Sequence, residues 1–208
     1  MTADFQASLF EGATVGVGAL AGRVQRTELT RGAWVDVLPG WFEGADAVFE
    51  DLVHDVPWRA EERPMYDGIV AVPRLLHTYG VGEELPHPAL TEAREALSAY
   101  YLPELGEPFV TAGCCYYRDG QDSVAWHGDN IGRGRSQNTM VAIVSFGSPR
   151  KLQLRPVGGH VEVSHALGHG DLIVMGGSCQ RTWEHAVPKT ARPVGPRISV
   201  QFRPRNVF

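Results

Sequence analysis

His127-Gly128-Asp129 follows a run of β-forming residues, and alternate residues of a strand face the same side. The imidazole and the carboxylate can therefore converge on one point. A third ligand has to come from elsewhere, and His185, within Trp183-Glu184-His185-Ala186-Val187, stands in a later predicted strand. Two imidazoles and one carboxylate leave coordination positions open, which suits a non-haem Fe(II) that takes a cosubstrate and O2 together. A lone His-x-Asp suits a surface turn or a hydrogen-bonded pair equally well, so the motif needs support from other residues.

The tail of the chain supplies that support. In Arg197-Ile198-Ser199-Val200-Gln201-Phe202-Arg203 a strand puts Arg197, Ser199, Gln201 and Arg203 on one face and Ile198, Val200 and Phe202 on the other. Arginines on a core strand are costly to bury unless they meet anions. A dicarboxylate ligand offers one anion at each end, and a guanidinium fork matches a carboxylate in a bidentate way. An edge strand with solvated arginines is the alternative.

These residues need a scaffold. The chain has 208 residues, 43% hydrophobic and 21% charged, enough for one sizeable core. Ordinary charge and plentiful apolar residues exclude wholesale disorder. No apolar run approaches the ~18 residues of a spanning helix, and the start shows no basic stretch followed by an apolar core. Three Cys, two of them adjacent (Cys114, Cys115) and one alone (Cys179), suggest a reducing compartment and a cytoplasmic protein. Helical spacing of apolar residues predicts helices over Gly44–Val56 and Pro88–Tyr101, with hairpins or loops over Pro57–Gly82 between them. From Pro108 onward short β-rich runs alternate with turns: Phe109–Arg118, Thr139–Phe146, Lys151–Arg155, His160–Ser164, Asp171–Met175, Thr182–Val187 and Arg197–Arg203. So many short strands with tight turns point to an all-β sandwich or jelly roll and against a parallel βαβ fold. Residues 1–130 hold 8 Lys+Arg against 21 Asp+Glu, and residues 131–208 hold 11 against 3, giving −13 and +8 within the net −5. The basic part could meet a phosphodiester or a carboxylate, or be a solvated face.

The ordered set His127-x-Asp129, His185 and Arg197-x5-Arg203, ending in Ser-Val-Gln-Phe-Arg, resembles the AlkB family of Fe(II)/2-oxoglutarate dioxygenases. The run Ala166–Met175 is similar to the family's strand before the distal ligand, and Tyr117-Arg118-Asp119-Gly120 to its Tyr-x-x-Gly. Val72-Pro73-Arg74-x3-Thr78-Tyr79-Gly80 looks like the matching stretch of the AlkB homologues that repair double-stranded DNA. The resemblance covers roughly residues 57–205 and leaves the first forty aside. It implies a mainly β (α+β) fold, a double-stranded β-helix core with N-terminal helices and substrate-side hairpins. It implies one domain over 1–208, with 1–107 as helices and nucleotide-recognition lid and 108–208 as the catalytic core. His127, Asp129 and His185 would hold Fe(II). Arg197, helped by Tyr117, would pair with the distal carboxylate of 2-oxoglutarate; Ser199 would line the same site, and Arg203 would sit near the carboxylate at the 2-oxo end. With O2 as the other cosubstrate, the reaction would be oxidative dealkylation of N-alkylated bases, releasing aldehyde, succinate and CO2. The implied partner is alkylated DNA, or RNA, acted on by a monomer with no membrane attachment.

Three positions depart from the family pattern. Cys115 and Ser199 stand where the family has Asn, and Ile131 where an acidic residue often follows the His-x-Asp. On the substrate side, Met65 and Tyr66 match the place of a wedge that probes base stacking, and Trp58 and Tyr79 could stack on a base. Arg74 joins these as a candidate substrate contact, and Arg133, Arg135, Arg150, Lys151 and Arg155 could meet phosphates. Core packing explains the aromatics as well, and solvated surface the basic residues. A second metal site from His160, His165 and His169 is a rival, although their spacings do not repeat at a strand's period. A Cys114-Cys115 nucleophile is another rival. The same oxidative chemistry on a protein side chain or small metabolite, and a catalytically idle binding module, complete the alternatives.

Overall fold

The computed structural model of the chain describes residues 15–65 and 68–208. In chain order the strands are β1 (Gly16–Val17), β2 (Gln25–Glu28), β3 (Ala33–Leu38), β4 (Phe42–Glu43), β5 (Arg59–Met65), β6 (Gly68–Tyr79), β7 (Thr111–Tyr117), β8 (Val124–His127), β9 (Val141–Gly147), β10 (Arg150–Pro156), β11 (Val163–Leu167), β12 (Leu172–Gly177), β13 (Trp183–Val187) and β14 (Arg197–Arg203). The helices are α1 (Ala45–Asp55), α2 (Pro88–Leu105) and the single turn α3 (Cys179–Thr182).

Two antiparallel sheets face each other. The larger runs β2-β3-β12-β9-β14-β7-β6-β5 and the smaller β11-β10-β13-β8. Their inner faces meet in an apolar core that includes Val35, Val141, Ile143, Ile173 and Met175 from one side and Leu152, Leu154, Leu167 and Trp183 from the other. The outer face of the larger sheet is covered by α1 and α2, through Val48, Leu52, Leu90, Ala93 and Leu97 against Ala142, Val144, Phe146, Ile198, Val200 and Phe202. Strands covered on both sides are buried along their length, which is why β9 reads as the unbroken run Val-Ala-Ile-Val-Ser-Phe. The architecture is the expected mainly β jelly roll.

Several boundaries differ from the sequence reading. The second helix runs to Leu105 instead of Tyr101, through Pro103, and stops at Gly106 in a left-handed conformation. The strand expected over His160–Ser164 lies at Val163–Leu167, where it pairs with β10. Thr182 closes a helical turn, so β13 starts at Trp183. Strands β1 to β4, unforeseen in the first part of the chain, add β2 and β3 to the larger sheet beside β12.

That addition is tied down by one buried carboxylate. Asp36 accepts hydrogen bonds from Arg26 Nε and Nη2 at 2.8 and 2.9 Å and from the Tyr101 hydroxyl at 2.8 Å. The Arg26 guanidinium also lies over the Trp34 ring, 3.6 Å from its centre. Strands β2 and β3 are thus joined to α2. Asp36→Ala should destabilise the fold by about 2–3 kcal/mol, below the figure for a fully buried pair because Arg26 is partly exposed. Urea denaturation measures this; a loss under about 1 kcal/mol would show that Arg26 and Tyr101 find other partners.

Candidate active site

The ladder between β8 and β13 sets His127 directly opposite His185, with ring centres 4.2 Å apart. Strand β8 ends at His127, so Asp129 is not on the strand as its alternation suggested but just past it. The turn that brings it back depends on Gly128, because a Cβ there would meet the Gln180 carbonyl oxygen at 2.5 Å. His127 Nε2 then lies 3.7 Å from Asp129 Oδ1. One ligand atom each from His127, Asp129 and His185 lie within 4.8 Å of one another, and they are the only such set among the described residues.

His127 and Asp129 are held by further contacts. His127 Nδ1 lies 2.9 Å from the Ala125 carbonyl, which can only accept, so Nδ1 carries the hydrogen and Nε2 the lone pair. Asp129 is buried; its amide donates to Gln180 Oε1 at 2.9 Å, and its Oδ2 accepts from Arg203 Nε at 2.8 Å. Burial alone would raise the Asp129 pKa, but Arg203, with His185 and His127, holds it well below the usual carboxylate range. Burial, with His127 and Arg203, pulls the His185 imidazole down to about 3 against the opposing pull of Asp129. The site therefore offers an anionic oxygen from Asp129 and a neutral nitrogen from His185, with His127 Nε2 beside them; one carboxylate and two imidazoles are the donor set of a borderline dication.

Strand β14 lies between β9 and β7, so the solvated edge considered for its arginines is excluded. Arg197 is 2% exposed. Its Nε donates to Ser145 Oγ at 2.8 Å, and its guanidinium carbon lies 5.2 Å from the centre of the Tyr117 ring. Its Nη1 is buried without a hydrogen-bond partner among the described residues. Burial raises the Tyr117 phenol to about 12, leaving it a neutral donor. A buried cation with an unmatched nitrogen beside a phenol fits a carboxylate ligand. Arg203, at the other end of the strand, is held to Asp129 at the metal end.

Other candidates fall elsewhere. Tyr79 is 8% exposed in the core under the helices, and Trp58 packs against that core with its indole donating to the Leu52 carbonyl. Tyr79 therefore presents no free face to a base, whereas Trp58 is half-buried at the rim of that core. Tyr66 and the side chain of Met65 lie outside the described residues. Arg74 faces Cys115 and Tyr117, inside the pocket wall, with its Nη1 on the Ser123 carbonyl at 3.0 Å. Arg150 does not face solvent: it is buried and donates to the carbonyls of Asp119, Asp122 and Pro188. Arg133 pairs with Glu107, and Arg155 with Glu184 at 2.9 Å; Arg135 and Lys151 are exposed. The histidine rival dissolves, since His169 pairs with Asp46 and no cluster joins it to His160 and His165 among the described residues. Burial raises both Cys114 and Cys179, the latter to about 12, so neither is a ready nucleophile. Sequence reasoning missed Ser145 and Gln180, and it gave Arg150 to phosphates where the fold gives it to backbone carbonyls. Ser145, the one polar residue in an apolar run, carried a signal; Gln180 carried none.

Residues 76–203 match the 2OG-Fe(II) oxygenase superfamily. The chain belongs to that superfamily. It is 32% identical over 197 residues to alpha-ketoglutarate-dependent dioxygenase alkB homolog 3 of Bos taurus, covering 81% of this chain and 65% of that protein. It is likewise 32% identical over 133 residues to DNA oxidative demethylase ALKBH2 of Arabidopsis thaliana, covering 53% of this chain and 42% of the relative. The chain thus spans less than two thirds of the length of these relatives. Among solved structures, OsALKBH1 superposes with a TM-score of 0.57 at 14% identity, over 86% of this chain and all of that one. A prolyl hydroxylase from Trichoplax adhaerens gives 0.58 at 11% identity, over 84% of each chain. These two show the fold. The AlkB likeness is upheld, and with it Fe(II) and 2-oxoglutarate as the metal and cosubstrate of the family. Among the described residues no helix is long and apolar enough to cross a membrane.

The Arg203–Asp129 contact makes a prediction with a sign. Arg203→Met leaves a buried carboxylate without its guanidinium, so burial raises its proton affinity and metal binding then competes with protonation. Mn(II) affinity should fall about 10- to 100-fold, more at pH 6 than at pH 8. Wild-type affinity at both values would show that Arg203 does not tune the ligand.

Proposed function

We propose that this chain is an Fe(II)/2-oxoglutarate-dependent dioxygenase that oxidatively dealkylates N-alkylated bases in nucleic acid. The observation that carries the reading is Arg197 Nη1, a buried cationic donor without a partner, on the same strand face as the arginine that holds Asp129. In this reading His127, Asp129 and His185 hold Fe(II), Arg197 and Tyr117 bind the distal carboxylate of 2-oxoglutarate, and Ser199 and Arg203 line the path between. With O2, the bound metal and cosubstrate supply hydroxylation of an N-linked alkyl carbon, while 2-oxoglutarate becomes succinate and CO2.

The chain's own residues orient and exclude. Ser145 and Tyr117 hold the Arg197 guanidinium so that one edge remains for the carboxylate. Arg203 keeps Asp129 ionised and leaves its second oxygen for the metal. The apolar core between the sheets keeps bulk water from the cosubstrate. The hydroxylated product is a hemiaminal, which separates into aldehyde and unmodified base without further help. Residues 1–208 act as one unit in this proposal, because β3, β5 and β6 complete the sheet that carries β14. We place it in the cytoplasm as a monomer, with alkylated DNA or RNA as the partner.

One observation favours a second reading, the same chemistry on a protein side chain or small metabolite. Ile131, two residues past Asp129, is 67% exposed and offers no hydrogen bond from its side chain to a base.

The test is succinate release by the Fe(II) protein with ascorbate, across methylated single- and double-stranded DNA, RNA and free nucleosides. Methylated oligonucleotide should accelerate turnover, and binding should weaken steeply with salt as phosphate contacts require. Asp129→Ala should abolish turnover. A rate indifferent to every alkylated nucleic acid removes the substrate assignment, and near-wild-type activity in Asp129→Ala removes the triad.

A further inference from the structure

Ser199 and Gln201 stand between the two arginines on the inward face of β14, and both are buried. Gln201 Nε2 lies 3.1 Å from the Ser199 carbonyl oxygen and 2.6 Å from Ser199 Oγ. A carbonyl only accepts, so the amide nitrogen has to face it; the flipped amide would set two acceptors against each other. The amide oxygen then faces Cys115, whose Sγ is 3.7 Å away and is therefore the donor. Ser199 Oγ already receives a hydrogen from Gln201, which leaves its own hydrogen for Tyr117, whose oxygen also takes one from the Arg197 guanidinium. Tyr117, accepting from Ser199, keeps its one O–H hydrogen for the pocket. Arg197 Nη1, on the neighbouring guanidinium, has no partner among the described residues. The donors run one way, from the Cys115 thiol through Gln201 and Ser199 to Tyr117.

We propose that Gln201 is a positioning residue for the cosubstrate. Acting through Ser199, it turns the Tyr117 hydroxyl outward as a donor beside Arg197, so the distal carboxylate of 2-oxoglutarate meets two donors already aimed at it. This rests on the assignment of Arg197 and Tyr117 to that carboxylate made above. Donors aligned in advance need no reorganisation on binding, and hydrogen bonds in a chain polarise one another. A thiol suffices at residue 115 because its task is to donate to Gln201, not to touch the ligand. The strand opposite leaves the amide just enough room: a Cβ on Gly113 would stand 3.0 Å from Gln201 Oε1 and 2.7 Å from Arg203 Nη1.

Calorimetric binding of 2-oxoglutarate to the Mn(II)-loaded protein under argon reads the effect directly, and KM against kcat reads it in turnover. Gln201→Met keeps the length and removes the amide; Kd and KM for 2-oxoglutarate should rise about three- to tenfold, with kcat moving less. Gln201→Glu can only accept, so Ser199 donates to it and the Tyr117 hydroxyl turns inward; the rise should be about tenfold or more. In a Tyr117→Phe background Gln201→Met should add nothing, because the chain then lacks its last hydroxyl. An undiminished effect in that background, or wild-type affinity in both Gln201 variants, overturns the proposal. So does a loss of Mn(II) affinity that matches the loss of 2-oxoglutarate affinity, since the strand is then merely disturbed. Wild-type 2-oxoglutarate binding by Arg197→Met would instead show that the anchor assignment fails, and this proposal with it.

Discussion

Arg197 keeps its charge where solvent does not reach, and burial works against that charge. The surroundings compensate only in part. Ser145 takes one nitrogen, the Tyr117 ring faces the cation, and another nitrogen is left over. A strand can hold such a residue only when one of its faces is given to the core and the other to a cavity. That is the situation of β14, flanked by β9 and β7, with Ile198, Val200 and Phe202 under the helices and the polar row turned inward.

The two arginines of that row have opposite fates. Arg203 is engaged by Asp129 and so belongs to the metal end of the pocket, where it offsets the desolvation of a carboxylate. Arg197 has no acidic partner among the described residues. Arg150, the second buried guanidinium among the described residues, is occupied by three backbone carbonyls and braces the turn after β7 against the segment after β13. Three side chains of one chemistry therefore serve as a ligand tuner, an anion receptor and a structural brace. Their partners, not their type, separate them.

That difference marks what can be read from sequence. The alternation of β14 and the count of short strands depend on periodicity, which survives in the sequence, and both were legible. So was the convergence of His127 and His185, because it needed only two strands of one sheet. The early strands β1 to β4 were not, since two of them have two residues each and β2 is exposed throughout. Tyr79 and Trp58 were ambiguous because an aromatic ring suits a base stack and a core equally well. Arg150 and Gln180 act on backbone groups, and any long polar side chain can do so; no residue pattern distinguishes them. Gln201 was placed on the right face, but its amide acquires meaning only from the 2.6 Å approach to Ser199.

The three groups that converge at the metal position are not equally sheltered. Asp129 and His185 are sealed in, whereas the His127 side chain is 38% exposed and sits on β8, the outermost strand of the smaller sheet. Of the groups that would hold an ion, that imidazole is the one solvent reaches. Two ligands of the centre thus lie inside the barrel wall and the third lies on its rim, which makes β8 the border between the pocket and solvent.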